Sequence, residues 1–247
     1  MSSPAFGAYL QCYKNPLATY ICLQSFRKHY PTSTIVLLSD NGYDYSEMAK
    51  HFQCIYLHET ETVLLTCRDK EIKSGLYKEN THRLIDRVSL CFDLCSEEYV
   101  MWLEDDVHIH GPVDSDFAYD MNGWCPNTFQ PFTIKALAGT YTFLDTTKPY
   151  KFTGQGGSIF HKKRFLQYIN NREIVDDVLD KWNHYCGYEL GQDLFFSLLT
   201  TLSKGTIGPY SGHGEFHSCS NMTVRHQYKT HYGKPLPQDL QYLVKEI

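Results

Sequence analysis

No stretch of this chain is apolar for long enough to cross a membrane. Its longest apolar runs, such as TIVLL at 34–38 and YVMWL at 99–103, have the length of buried strands. A spanning helix needs roughly 20 such residues. An excess of positive charge is missing too. The chain sets 23 Lys and Arg against 28 Asp and Glu, for a formal charge of -5 spread along its length. Without a basic stripe to follow a phosphate backbone, nucleic acid is not an expected partner. A disulfide framework is also lacking. The nine cysteines are odd in number in a chain of 247 residues, and no basic segment leading into an apolar one opens the sequence. The expectation is a reduced, cytoplasmic protein with no membrane span. Repeats, low-complexity segments and a clear linker are absent, which favours one domain over 1–247. What the composition does supply, at 42% hydrophobic residues, is enough apolar material for a substantial core.

The first hundred residues alternate in period. GAYLQCY (7–13) is a short apolar run, and NPLATYICLQSFRKHYP (15–31) follows it directly. Asn15 suits a helix cap and Pro16 the first turn, while Leu17, Ala18, Ile21, Cys22 and Ser25 share one face. Pro31 closes that helix, and TIVLLSDNG (34–42) reads as a buried strand running into turn residues. YSEMAKHF (45–52) is a short helix and CIYLHE (54–59) a third strand. In NTHRLIDRVSLCFDLC (80–95), Leu84, Val88, Cys91, Phe92 and Cys95 keep helical spacing behind a Thr81 or Asn80 cap. That spacing makes Cys91 and Cys95 core residues. YVMWL is the fourth strand.

This pattern predicts an α/β fold, Rossmann-like, with a mostly parallel central sheet flanked by helices. The second half, from about 108, is less regular. It carries a glycine-rich FTGQGGSIF (152–160) before a basic helix, a helix over NREIVDDVLDKWNHY (171–185), another from about Leu190 to Leu202, and a polar tail.

In sheets of this kind ligands bind beyond the carboxyl ends of the strands. Glu104, Asp105 and Asp106 follow the fourth strand directly and so fall on that edge, as does Asp40 after the second. Adjacent carboxylates in a half-buried setting repel by roughly 4 kcal/mol per close pair at an effective dielectric near 20. Glu104 and Asp106, one residue apart at a strand end, can turn to one side and offer hard oxygen ligands to Mg²⁺ or Mn²⁺, with positions left for phosphate oxygens. The competing reading is a solvated acidic loop.

YVMWLEDDV, preceded by a helix bearing arginines and by IVLLSDNG, resembles the DxD signature of metal-dependent nucleotide-sugar glycosyltransferases with the GT-A fold. The resemblance implies a nucleotide-binding half over about 1–107 and an acceptor-binding half beyond it, a nucleotide-sugar donor with UDP favoured, a glycan or glycoconjugate acceptor, and Mn²⁺ or Mg²⁺ as cofactor. It implies Asp106 as the metal ligand, Glu104 toward the ribose or the metal's waters, and Asp105 toward the donor sugar. Asp40 would meet a uracil N3 or a ribose hydroxyl, although an Asx turn with Asn41 and Gly42 explains it equally. Arg83 and Arg87 would reach the nucleotide, or pair with Glu79 and Asp86 at the surface. Gly156 and Gly157 would line the pocket for donor sugar and acceptor.

GYELGQDLFFSLL places Glu189 and Asp193 four residues apart. A carboxylate near a helix N-terminus stays ionised and can take a proton from an acceptor hydroxyl. The segment is similar to the family's xED motif, whose Asp is the base of inverting enzymes. Here Gln192 stands in the middle position, and a helix-capping Asp is the plain alternative. The family often completes its metal shell with a C-terminal imidazole, for which YSGHGEFHS offers His213 and His217. In VRHQYKTHYGKP, Arg225, Lys229 and Lys234 alternate with Tyr228 and Tyr232, as a lid over the diphosphate or as a solvated terminus. His108 and His110 form an HxH after the acids, a weak zinc signal without a cysteine-rich or HExxH context.

The expected reaction is inverting transfer with Asp193 as base. A retaining transferase on the same donor site and a non-catalytic glycan- or partner-binding module are the alternatives. A sugar-1-phosphate nucleotidyltransferase would carry a glycine-rich loop after the first strand, and LQCYKNP has none.

Overall fold

Successive residues of a strand face opposite sides of its sheet, and here both sides are apolar. The computed structural model describes residues 5–12, 15–39, 42–60, 77–154, 156–185, 191–215 and 222–226. In chain order its elements are β1 (Phe6–Cys12), α1 (Pro16–His29), β2 (Ile35–Ser39), α2 (Ser46–His51), β3 (Ile55–His58), α3 (Tyr77–Leu94), β4 (Tyr99–Leu103), β5 (His108–Ile109), β6 (Met121–Asn122), α4 (Pro131–Ala138), β7 (Ile159–His161), α5 (Lys162–Ile169), α6 (Arg172–Tyr185), α7 (Gln192–Leu202), β8 (Ile207–Gly208), β9 (His213–Glu215) and β10 (Val224–His226).

Tyr9, Val36, Val100 and Trp102 turn to one face of the sheet and meet α3, α6 and α7 through Leu84, Phe92, Val178 and Phe196. Ala8, Leu10, Leu37, Met101 and Leu103 turn to the other, against Cys22, Leu23 and Phe26 of α1 and Met48 of α2. This two-sided burial is why the strands read as continuous apolar runs.

The large sheet has the order β3-β2-β1-β4-β7-β6-β8. Strands β3, β2, β1 and β4 are parallel, and β7 joins antiparallel to both β4 and β6. The chain first builds outward from β1 to β2 and β3, then crosses back through α3 to place β4 on the other side of β1. The order therefore reverses between β1 and β4, and the ends of these strands open a crevice for a ligand. A second sheet, β5-β10-β9, is smaller.

The α/β class with a mostly parallel central sheet is thus as expected. Asn15 caps α1, its side-chain oxygen accepting from the Ala18 N–H at 3.2 Å. On α1, Leu23 and Phe26 are buried, whereas Ile21, expected on the buried face, is only partly covered. Helix α3 begins at Tyr77, a turn before the predicted caps. Thr81 lies inside the helix, its hydroxyl donating back to the Tyr77 carbonyl at 2.7 Å, the competing bond that makes threonine cap-like in sequence. Among the described residues, no helix is long and apolar enough to cross a membrane.

Candidate active site

Strand β4 ends in a turn closed by the Val107 N–H donating to the Glu104 carbonyl at 3.0 Å. The turn leaves Glu104 half-exposed and buries Asp105 and Asp106, which are 8% and 5% exposed. Their field is felt on the neighbouring elements. The Cys22 thiol on α1 is pushed up by burial and then by Asp105, Asp106 and Glu104. The Tyr45 hydroxyl before α2 is raised by burial first, with Cys12 at the end of β1 and Asp105 adding to it. The acids therefore stand at the β1/β4 reversal.

Strand β10 brings the partner that balances them. It pairs antiparallel with β5, Val224 against Ile109 and Arg225 against His108, so the next residue, His226, falls opposite Val107 and beside the acid turn. His226 Nε2 lies 3.1 Å from Glu104 Oε2 and 3.6 Å from Asp106 Oδ1. One ligand atom from each of Glu104, Asp106 and His226 falls within 4.8 Å of the others. Two carboxylate oxygens and one imidazole nitrogen at that spacing can surround a single divalent cation bound at about 2.0–2.6 Å and leave positions open. Burial disfavours the imidazolium, but the hydrogen bond and charge of Glu104, with Asp106 and Asp193, lift His226 to about 9. His226 is thus the basic group that the fold places against the acids.

Of the glycines at 154, 156 and 157, it is Gly156 that makes room for this imidazole. A Cβ on Gly156 would stand 2.4 Å from His226 Cδ2. Gly157 has φ 83 and its Cβ would meet Val224 Cγ1 at 2.7 Å and His213 Nε2 at 2.8 Å. A Cβ on Gly154 would be 3.8 Å from both Asp193 Oδ2 and His226 Nδ1. Asp193 thus faces the same wall. It sits in the first turn of α7, whose N-cap is Gly191, so it is not the capping residue.

His213, an expected metal ligand, is turned to the backbone instead. Its Nδ1 accepts from the Trp124 N–H at 2.9 Å, its Nε2 donates to the Gly156 carbonyl at 3.0 Å, and its ring stacks on Tyr210 at 5.0 Å. Burial, and then the charge on His226, hold it down at about 3, against the Gly156 bond. With both ring nitrogens engaged by backbone, His213 braces the glycine turn, and among the described residues the imidazole at the acids is His226. Its only sequence signal was a three-residue Val-Arg-His alternation in a stretch read as lid or terminus.

Arg87 pairs with Glu59 just past β3 at 3.4 Å, whereas Asp86, its expected partner, meets Arg172. Arg83 is partly buried on α3. Asp40, Glu189, His217 and the tail from 227 onward lie outside the described residues.

No protein-family model matches the chain, and no curated protein matches it. Among solved structures it is similar to the galactosyltransferase LgtC in complex with donor and acceptor sugar analogs, at 10% identity over 96% of this chain and 99% of that one, TM-score 0.49. It is also similar to the glycosyltransferase GlyE of Streptococcus pneumoniae TIGR4, at 13% identity, TM-score 0.48, covering 95% of this chain and 57% of that one. Mouse xyloside xylosyltransferase 1 is similar at 10% identity over 90% of this chain and 96% of that one, TM-score 0.48.

Proposed function

We propose that this chain is a metal-dependent glycosyltransferase that moves a sugar from a nucleotide diphosphate, with UDP favoured, to a hydroxyl of a glycan or glycoconjugate. The observation that carries the reading is the meeting of Glu104, Asp106 and His226 just past the carboxyl end of β4, with ligand atoms within 4.8 Å. The donor set fits a divalent cation, and its imidazole favours Mn²⁺ over Mg²⁺, which prefers oxygen alone. When bound there, the cation supplies Lewis-acid neutralisation of a departing diphosphate.

The protein's own groups do the rest. Glu104, Asp106 and His226 hold the cation, Asp105 turns toward the donor sugar, and Asp40 takes the nucleoside. Asp193, in the first turn of α7, removes the acceptor's proton as the oxygen attacks the anomeric carbon. A single displacement of this kind inverts that carbon.

Calorimetric titration of UDP and GDP, each with and without Mn²⁺, tests the donor site. Mn²⁺-dependent UDP binding is expected; no binding under either condition overturns the reading. Hydrolysis across a panel of nucleotide sugars then identifies the donor. The anomer of the product, read by NMR, tests the role given to Asp193: a retained configuration removes it as the base of a single displacement.

A further inference from the structure

Beyond the acid turn, β5 runs back along α1. It is tied there by the Ile109 N–H to Ser25 Oγ at 3.1 Å and, further on, by the Val113 N–H to Tyr30 Oη at 2.6 Å. Between α1, the end of α2 and β5 lies a groove of about 740 Å³, within the roughly 300–1,000 Å³ of small-molecule sites. His108 and His110, two residues apart on one side of the strand, stand over it with ring nitrogens 3.2 Å apart. Lys28 and His29 enter from α1 and His51 from α2.

The sign of this lining is its main feature. Among the described residues, Arg27 and Lys28 and the four histidines at 29, 51, 108 and 110 line the groove and no carboxylate does, so its fixed charge is positive in a chain whose acids outnumber its Lys and Arg by 28 to 23. One of the six, Arg27, spends its guanidinium on the carbonyls of Tyr30, Ser33 and Phe52. That holds a fixed positive charge in the wall and leaves the donating to Lys28 and the histidines. Arg225 of β10 adds to the field. His29 is held below its ordinary value by burial and then by Lys28, and His110 by burial and then by Arg225 and His29. The wall is not wholly polar: Tyr20 and Phe52 rings pack 5.0 Å apart, and His51 lies 4.7 Å from Phe52. Charge favours an anion, and the packed Tyr20 and Phe52 rings give the groove a rigid, partly apolar floor.

We propose that this groove is an anion-binding site, separate from the acid cluster, for a small molecule carrying phosphate or carboxylate on a ring-sized body. Lys28 and the one outward N–H left by the His108–His110 pair donate to the oxyanion, and Arg27 and Arg225 supply the field that draws it in. The site does not depend on the catalytic reading. The 3.2 Å between the two imidazoles also suits a transition metal, but the cations around them oppose one.

The test is calorimetry on the full chain freed of metal by a chelating resin, in a buffer without polyanions, where the metal-free acid cluster repels anions. The probes are pyrophosphate, trigalacturonate, neutral maltotriose and, in a separate run, Zn²⁺. Pyrophosphate or trigalacturonate is expected to bind at least tenfold more tightly than maltotriose and to weaken with added salt. Pyrophosphate alone identifies a phosphorylated ligand; trigalacturonate alone identifies an acidic sugar. H108Q/H110Q and, separately, the exposed substitution K28E should each weaken binding at least tenfold while the circular dichroism spectrum stays unchanged. The proposal is overturned if neither anion binds better than maltotriose, if both variants bind as the parent does, or if no anion binds and a Zn²⁺ site of the parent is missing from H108Q/H110Q.

Discussion

His226 and Glu104 are 122 residues apart in sequence and 3.1 Å apart in space. The contact closes a cluster that neither segment makes alone. It depends on β10 lying antiparallel to β5, the two-residue strand that follows the acid turn. Substitutions in this cluster should therefore separate ligands from braces.

His226→Gln and Asp106→Asn should lower Mn²⁺ affinity by roughly 10–100-fold or more, a range already seen when groups behind metal ligands are lost. His213→Gln should change it far less, because both nitrogens of His213 serve the backbone. Titration of free Mn²⁺ by electron paramagnetic resonance reads all three. Unchanged affinity in His226→Gln would pass the role to another imidazole.

Asp193→Asn should cut turnover by about 10²–10⁴, the usual span of a general base, and leave Mn²⁺-dependent UDP affinity as it is. A variant with full turnover would remove Asp193 from the chemistry. A loss of UDP binding equal to the loss of rate would instead make it a donor-site residue.

Gly156→Ala brings a Cβ to 2.4 Å from His226 Cδ2, so the ring must move off the acids. The expected cost is about 1–3 kcal/mol in stability, measured by urea denaturation, together with weaker Mn²⁺ binding. Gly157→Ala, at φ 83 and against Val224 and His213, should lose at least as much stability.

Protonation of His213 should oppose folding. Its folded value of about 3 lies below the unfolded value of about 6.5. The unfolded chain thus binds the extra proton first. The contribution is complete above about pH 6.5 and is lost toward pH 3, at up to about 1.4 kcal/mol per pH unit. In NMR, one buried imidazole should stay neutral between pH 8 and 5; a His213 signal titrating near 6.5 would refute this.

Asp120 should act in a lower window. Although burial works against its charge, donors from Arg164, Thr206 and Tyr168 hold the carboxyl below its ordinary value. Its stabilisation is full above the unfolded value of about 3.9 and disappears as pH falls through the folded one. Asp120→Ala should cost roughly 2–3 kcal/mol at neutral pH, for a 4% exposed carboxylate whose partners lose charged hydrogen bonds. The difference from the parent should shrink in acid denaturation curves.

The sequence by itself determined what local chemistry controls. Apolar runs of strand length alternating with helical spacing require a sheet covered on both faces, and the turn after YVMWL then carries its acids to the ligand edge. Asn15 and Pro16 start α1 through neighbouring atoms, so they too were legible. Thr81 was misread because its hydroxyl bonds a carbonyl one turn back, a habit it shares in caps and helix interiors. Which histidine joins the acids was decided only by tertiary structure. His213 follows a Tyr-Ser-Gly turn and His226 a Val-Arg pair, and neither local setting says which imidazole reaches the acids. The register of β10 on β5 sends one to Glu104 and Asp106, while β9 beside it turns the other to the backbone of Trp124 and Gly156. Pairings between segments so far apart are set by burial and by the hydrogen bonds of the whole sheet, which no short window of residues contains.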